Sequence, residues 1–334
     1  LDEPTYLSLF SGIGGLDLAV EAHGFRCVGQ VEWDAHCTRV LERWWPTVPR
    51  WGDVTEFNAT AYAGGSGQQG ARPRIARNAE PARTHAPVDL IIGGFPCQPA
   101  STAGRRKGTA DDRWLWPEVA RVVGELRPRA LLVENVPGLL TVNGGRAFSE
   151  IIGTLADLGY DATWTSLRAS DVGACHKRQR IFLLAHAPGF GRGALGAKPT
   201  GFIRASIGGS GSGGVAPHAD HGGHGSQLRP PGLTGVHAGD SGAEPRGADR
   251  GRFAWGAYEP AVRRWERVMG PAPMPVDDKG RLAPSFVEWM QGFEPGWIEG
   301  MTRTQALKAL GNAVVPQQGA AAFSILTKLA EVAA

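Results

Sequence analysis

"VDLIIGGFPCQPAS", residues 88–101, runs an apolar strand straight into a loop that holds a cysteine between two prolines. Val88, Ile91 and Ile92 are β-branched, and the unbroken apolar run reads as a buried strand of a parallel sheet. Gly93 and Gly94 let the backbone turn where a side chain would clash. Pro96 and Pro99 fix the dihedrals around Cys97. Cys97 is therefore expected on a stiff loop at the carboxyl end of a strand, where open α/β sheets bind their ligands. A lone cysteine is more often a small buried hydrophobe. The proline bracket and the paired glycines favour a positioned nucleophile instead.

Outward from this stretch, residues 5–187 alternate strand-like and helix-like segments. "TYLSLF", "CVGQVEW", "ALLVENV" and "RIFLLAHA" read as strands. "LDLAVEAHGF", "HCTRVLERWW", "WPEVARVVGELRP" and "FSEIIGTLADLGY" read as helices. This βαβα order predicts a doubly wound, Rossmann-like α/β sheet with a small, partly irregular second domain. Two stretches break the pattern. Residues 64–87 carry four Arg against one Glu with no periodicity, and read as a basic surface insertion. Of the 65 residues from 188 to 252, 19 are Gly, too few large apolar groups to offset the entropy of ordering. His218, His221 and His224 in that stretch have no Cys or paired carboxylate beside them, so no metal is expected. Helical patterning returns in "RFAWGAYEPAVRRWERVMG" and "PSFVEWMQGF". The last segment is helical at both ends and interrupted from Gly311 to Pro316.

The 334 residues allow about two domains, and 42% hydrophobic with 20% charged residues is the balance of a soluble globular chain. No apolar run approaches a membrane span and no signal-peptide pattern opens the chain, so a cytoplasmic protein is expected. The chain begins with Leu1, which leaves its true start open. Four cysteines without a CxxC pair argue against a disulfide framework or structural zinc. A net charge of +3 permits a nucleic-acid partner without requiring one.

"FSGIGG", residues 10–15, follows the first strand and opens a helix, so its glycines can let the backbone approach a nucleotide-like ligand. Glu32 ends the second strand and suits a ribose hydroxyl. A dinucleotide and an adenosyl cofactor both fit, although the GxGG spacing disfavours a pyrophosphate. Glu134 in "LLVENVPG" ends a strand beside that of Cys97, so the acid and the nucleophile should share one sheet edge. In "CHKRQRIF", Arg178 and Arg180 are two residues apart. Strand alternation would point both to one side, to hold an anion or a carbonyl oxygen.

Together "FSGIGG", "GGFPCQPAS", "ENV", "HKRQRIF" and "GNAVVP" resemble, in order and spacing, the C5-cytosine DNA methyltransferases of bacterial and phage type. The resemblance covers 5–187 and 282–330. It implies a catalytic domain over 1–187, a target-recognition region over 188–281, and a return to the catalytic domain over 282–334. Phe10, Ser11, Gly12, Ile13, Gly14 and Gly15 would line S-adenosyl-L-methionine. Glu32 would hold its ribose, Trp33 would stack near the adenine, and Asp53 would bind the adenine amino group. Val54, Pro96, Leu115, Asn312 and Val314 would complete the pocket. Cys97 would add to C6 of a flipped cytosine, Glu134 would meet the N3 and N4 edge, and Arg180, with Arg178 near it, would hold O2. Gln98, Ser101, Arg252, Arg263, Arg264 and Arg267 would face double-stranded DNA. A monomer is expected, serving restriction–modification or protective phage methylation, with a restriction endonuclease as a functional rather than physical partner. His176 and Cys175 depart from the family's usual Gln and Pro. A tRNA methyltransferase is the first rival, but its Cys-Phe-Thr signature is absent. An inactive DNA-binding module leaves the intact Cys97, Glu134 and Arg180 unexplained, as does a nicotinamide oxidoreductase.

Overall fold

A computed structural model describes residues 3–64, 88–96, 114–189 and 253–333. Seven strands form its sheet: β1 (Thr5–Leu9), β2 (Arg26–Val31), β3 (Arg50–Trp51), β4 (Leu90–Gly93), β5 (Ala130–Asn135), β6 (Asp161–Arg168) and β7 (Gln179–His186). Their spatial order is β3-β2-β1-β4-β5-β7-β6. β1 to β5 run parallel to one another, while β7 runs antiparallel to both β5 and β6. The chain winds outward from β1 to β3, then returns to β4 on the other side of β1. The carboxyl ends of β1 and β4 therefore diverge at a topological switch point, where such sheets open a crevice.

Helices cover both faces. Leu90 and Ile92 of β4 pack with α1 (Gly15–Glu21), α2 (Ala35–Trp44) and α9 (Pro316–Ala333). Ile91 packs on the opposite face with α4 (Trp116–Leu126) and α5 (Arg146–Asp157), and with Tyr62 of the short α3 (Ala59–Gly64). This two-sided burial is why the strands read as continuous apolar runs in the sequence. Local signals fix the helix starts. Asp34 caps α2 by accepting from the backbone N–H groups of His36 and Cys37. Pro117 opens α4, and Thr302 and Gln305 form a capping box at α8 (Arg303–Asn312).

The sequence reading is corrected at the end of the sheet. "RIFLLAHA" is a strand, but an antiparallel one, and it pairs with β6, "DATWTSLR", which has no clean alternation and was not expected as a strand. Only residues 169–178 join β6 to β7, too short a stretch for the crossover that a parallel pair needs.

Residues 255–333 belong to the same compact unit as the sheet. A second unit, Gly209–Ala254, is described only at Phe253 and Ala254. α6 (Glu259–Met269) buries Val262 and Trp265 against Ala169, Ala174, Phe286 and Trp289, the last two on α7 (Pro284–Met290). The interruption expected between the last helices is residues 313–315, between α8 and α9. The basic insertion at 65–87, the Gly-rich stretch at 190–252 and its three histidines lie outside the described residues. No helix among the described residues is long and apolar enough to cross a membrane.

Candidate active site

Leu9 ends β1, and the chain then takes three left-handed residues within five positions: Phe10 (φ 52°), Gly12 (φ 56°) and Gly14 (φ 87°). A Cβ on Gly12 would meet nothing closer than the Phe10 carbonyl at 4.0 Å, so its backbone faces open space. A Cβ on Gly15 would lie 2.2 Å from the Val314 carbonyl. The glycines therefore serve two ends, free backbone access at Gly12 and close packing against the α8–α9 junction at Gly15. Glu32 ties the loop from the end of β2. Its Oε2 accepts from the Gly12 N–H at 2.7 Å and its Oε1 from the Asp34 N–H at 2.8 Å. Burial pushes the Glu32 carboxyl up, and those backbone donors oppose the shift. From the far end of the chain, the Trp297 indole donates to the Ile13 carbonyl at 2.8 Å and its ring stacks on Trp44.

The loop borders a cleft of about 600 Å³ between the carboxyl ends of β1, β2, β4 and β5 and the face of α8. Its size suits a nucleoside cofactor. Of the residues expected to hold one, Phe10, Ser11, Gly12, Ile13, Gly15, Glu32, Trp33, Pro96, Asn312 and Val314 line it. Trp33 is 75% exposed, an indole face open for stacking. Gly14 caps α1 behind the loop, where its missing Cβ admits the Trp45 ring. Three more expected residues are, like Gly14, not in the lining. The exposed Asp53 caps a short 3-10 turn, its Oδ1 accepting from the Thr55 N–H and Oγ1, each at 2.9 Å. Val54 is buried in the core and Leu115 packs against the same cluster. β3 is only two residues long, so the chain turns into that cap immediately after it.

The other end of the cleft carries the candidate chemistry. β4 and β5 are neighbours, with Gly93 opposite Val133, so the "GGFP" turn leaves the sheet beside Glu134. A Cβ on Gly94 would stand 3.2 Å from Glu134 Oε2. Glu134 is buried, and Arg180 Nε donates to its Oε1 at 2.8 Å. Burial pushes the Glu134 carboxyl up, while Arg180 and then Arg178 pull it down. Asn135, which the sequence reading passed over, donates its amide to the Phe95 carbonyl at 3.1 Å and accepts from the Val136 N–H. It fixes the turn that leads to Pro96. Cys97, Gln98 and Ser101 lie outside the described residues, as does Arg252.

Arg178 does not join this group. Its φ of 30° takes it out of extended backbone, so the expected alternation with Arg180 fails. Its guanidinium reaches the Gly311 and Ala313 carbonyls instead. His176, in place of the family's Gln, uses Nε2 to bond the Met290 carbonyl at 2.9 Å, tying the turn before β7 to α7. The expected DNA-facing arginines of α6 are largely engaged. Arg263 pairs with Glu259 and Glu266, and Arg264 donates to the Gly173 and Ala174 carbonyls. Arg267 donates to the Arg263 carbonyl at 3.4 Å.

Residues 5–192 match the family description C-5 cytosine-specific DNA methylase. The chain belongs to that family. Among curated members, it is 34% identical over 180 residues to the Type II methyltransferase M.DsaV of Dactylococcopsis salina. That match covers 54% of this chain and 44% of M.DsaV. It is 31% identical over 180 residues to the Type II methyltransferase M.HhaI of Haemophilus parahaemolyticus, covering 54% and 48%. The match thus spans less than half the length of these methylases. The solved methyltransferase EhMeth of Entamoeba histolytica shares the fold at a TM-score of 0.57, with 14% identity over 99% of each chain.

Beneath the methylase loop lies a buried polar network that the sequence did not announce. Asp17 on α1 lines the cleft and accepts from Ser8 Oγ at 3.0 Å and Gln30 Nε2 at 2.9 Å. Glu21, one turn on, accepts from the Tyr6 hydroxyl and the Trp45 indole. Burial raises Asp17 from 3.8 to about 6 and Glu21 from 4.5 to about 7. The folded state therefore holds protons that the unfolded chain has released, and stability must fall as pH rises through this window. For Asp17 the effect is on the order of 3 kcal/mol between pH ~4 and ~8. Asp17→Asn, which keeps an acceptor and cannot ionise, should flatten the decline in urea midpoint over that range and exceed the parent at pH 8. A variant with the parental slope would remove Asp17 as its source.

Proposed function

We propose that the chain is a DNA (cytosine-5)-methyltransferase using S-adenosyl-L-methionine. The observation that carries this reading is the buried Glu134–Arg180 pair at one end of a cofactor-sized cleft, beside the turn into Cys97. The cleft fits the cofactor through its open Gly12 backbone, exposed Trp33 face and Glu32 carboxylate. S-adenosyl-L-methionine, when bound, supplies the methyl group. Cytosine C5 is a poor nucleophile until C6 is saturated, and the duplex hides C6, so the target base must leave the stack. Cys97 attacks C6 as its thiolate. Arg180 holds the base at O2 through donors not used by Glu134. Glu134, whose burial favours the protonated form, gives a hydrogen to N3 and so makes C6 electrophilic; the electron pair brought by the thiolate then leaves an enamine that is nucleophilic at C5. After C5 is methylated its proton passes to solvent, the C–H electron pair re-forms the C5–C6 double bond, Cys97 leaves C6 as thiolate, and N3 returns its proton to Glu134.

Residues 188–281 are the proposed target reader, with Arg252 and Arg267 as its candidate cations, and Gln98 and Ser101 are proposed to face the DNA. Expression in a host without cytosine methylation, followed by sequencing for 5-methylcytosine, tests the assignment. The expected result is methylation of one recurrent DNA motif. Unmodified DNA, or 5-methylcytosine confined to tRNA, would overturn it.

A further inference from the structure

Arg178 and Arg180 stand two residues apart, yet they serve different parts of the cleft. Arg180 pairs with Glu134. Arg178 Nη2 donates to the carbonyls of Gly311 at 2.9 Å and Ala313 at 2.6 Å. Those carbonyls flank Asn312 where α8 ends. The last carbonyls of a helix lack partners within it and carry its negative end, so a guanidinium there is matched in both hydrogen bonding and charge. The clamp is itself fixed. Gln318, in the first turn of α9, donates to the Arg178 carbonyl at 2.9 Å and the Leu167 carbonyl at 2.8 Å. Asn312, Ala313 and Val314 all line the cleft, and the Val314 carbonyl lies against Gly15. Arg178 is partly buried, and although that lowers it to about 10, it stays charged at neutral pH.

We infer that Arg178 is a positioning residue for the cofactor, holding Asn312 and Val314 against the Gly12–Gly15 loop through its two carbonyl contacts. The segment 178–180 thus builds the base pocket with one arginine and the cofactor pocket with the other. This rests on the reading of the cleft given under Proposed function.

Calorimetry of the full chain with S-adenosylhomocysteine, without DNA, reads the effect directly. Arg178→Ala should weaken binding by about tenfold, the scale for lost charged hydrogen bonds. Arg178→Lys, which keeps the charge but not the two-carbonyl reach, should fall between it and the parent. In turnover, the KM for S-adenosylmethionine should rise by a similar factor while the KM for DNA stays within about threefold. Because Arg178 acts through the junction, Arg178→Ala combined with Asn312→Ala should bind only about as weakly as the worse single variant. Unchanged cofactor affinity in the Ala variant, a loss confined to the KM for DNA, or strict additivity with Asn312→Ala would overturn the inference. If the Ala variant does not fold, parental affinity in Arg178→Lys overturns it. A parent chain that binds no S-adenosylhomocysteine would instead overturn the reading of the cleft itself.

Discussion

A duplex carrying 5-fluorocytosine at the target position is expected to hold the chain in a complex that survives denaturation, and Cys97→Ser is expected not to. The β4–β5 edge argues for it. The point a Cβ would occupy on Gly94 is 3.2 Å from Glu134 Oε2, and Asn135 pins the Phe95 carbonyl. Three residues of chain span at most about 11 Å, a leash that bounds how far Cys97 can lie from Gly94. A cytosine whose N3 edge meets Glu134 presents C6 within that leash. Fluorine at C5 cannot depart as a proton does, so once C5 is methylated the elimination that frees Cys97 is blocked and the C6–sulfur bond persists. Serine offers a far weaker nucleophile in the same place. A denaturing gel decides the matter: a shifted band in the Ser variant, or none in the parent with methyl donor present, would remove Cys97 from the role.

Much of the sheet was legible because parallel strands buried on both faces leave unbroken apolar runs, as "VDLII" and "ALLV" do, each ending at glycine or at an acid that the site uses. The last hairpin was not. β6 is an edge strand, half-buried along its length, and "DATWTSLR" shows neither a continuous run nor a clean alternation. Glu134, Arg180, Glu32 and the glycine loop were readable because each sits where a strand ends or begins, and register alone brings them to one rim. Arg178 was misread for the complementary reason. The alternation rule assumes extended backbone, and a φ of 30° at that residue sends its side chain to the α8–α9 junction. Asp53 stands outside the cleft lining, and its Oδ1 closes the local cap at Thr55. Trp297 reaches Ile13 across 284 positions of sequence. No local pattern encodes such a contact. Its function is visible only after the C-terminal helices have folded back against the first loop.

That return of the C-terminal segment has a consequence for how the cleft is held. Three separate backbone groups of the first loop meet partners from elsewhere: the Gly12 N–H on Glu32, the Ile13 carbonyl on Trp297, and Gly15 against Val314. A loop with three left-handed residues is costly to order on its own. Contacts from both ends of the chain over-determine it, so its shape is set before any ligand arrives.

Glu134 offers the sharpest separation of catalysis from stability. Glu134→Gln should lower methyl transfer by about 10²–10⁴-fold, the usual contribution of a positioned proton donor, with little change in thermal midpoint. The amide keeps the shape and can still accept from Arg180 Nε, but it has no proton to give to N3. Glu134→Ala removes the acceptor as well and leaves the Arg180 guanidinium mostly buried and unpaired, a loss of about 3–5 kcal/mol for a buried pair broken on one side. The two variants should therefore match in lost activity and differ clearly in urea midpoint. The pH profile supplies a second check. Burial raises the folded-state pKa of Glu134, so the protonated form persists above the ordinary carboxylate range and is lost as pH climbs through the raised value. The parental rate should fall along that limb, and the residual rate of the Gln variant should not follow it. A Gln variant that keeps its rate within about tenfold, or that retains the same alkaline limb, would mean that the proton reaching N3 comes from another group.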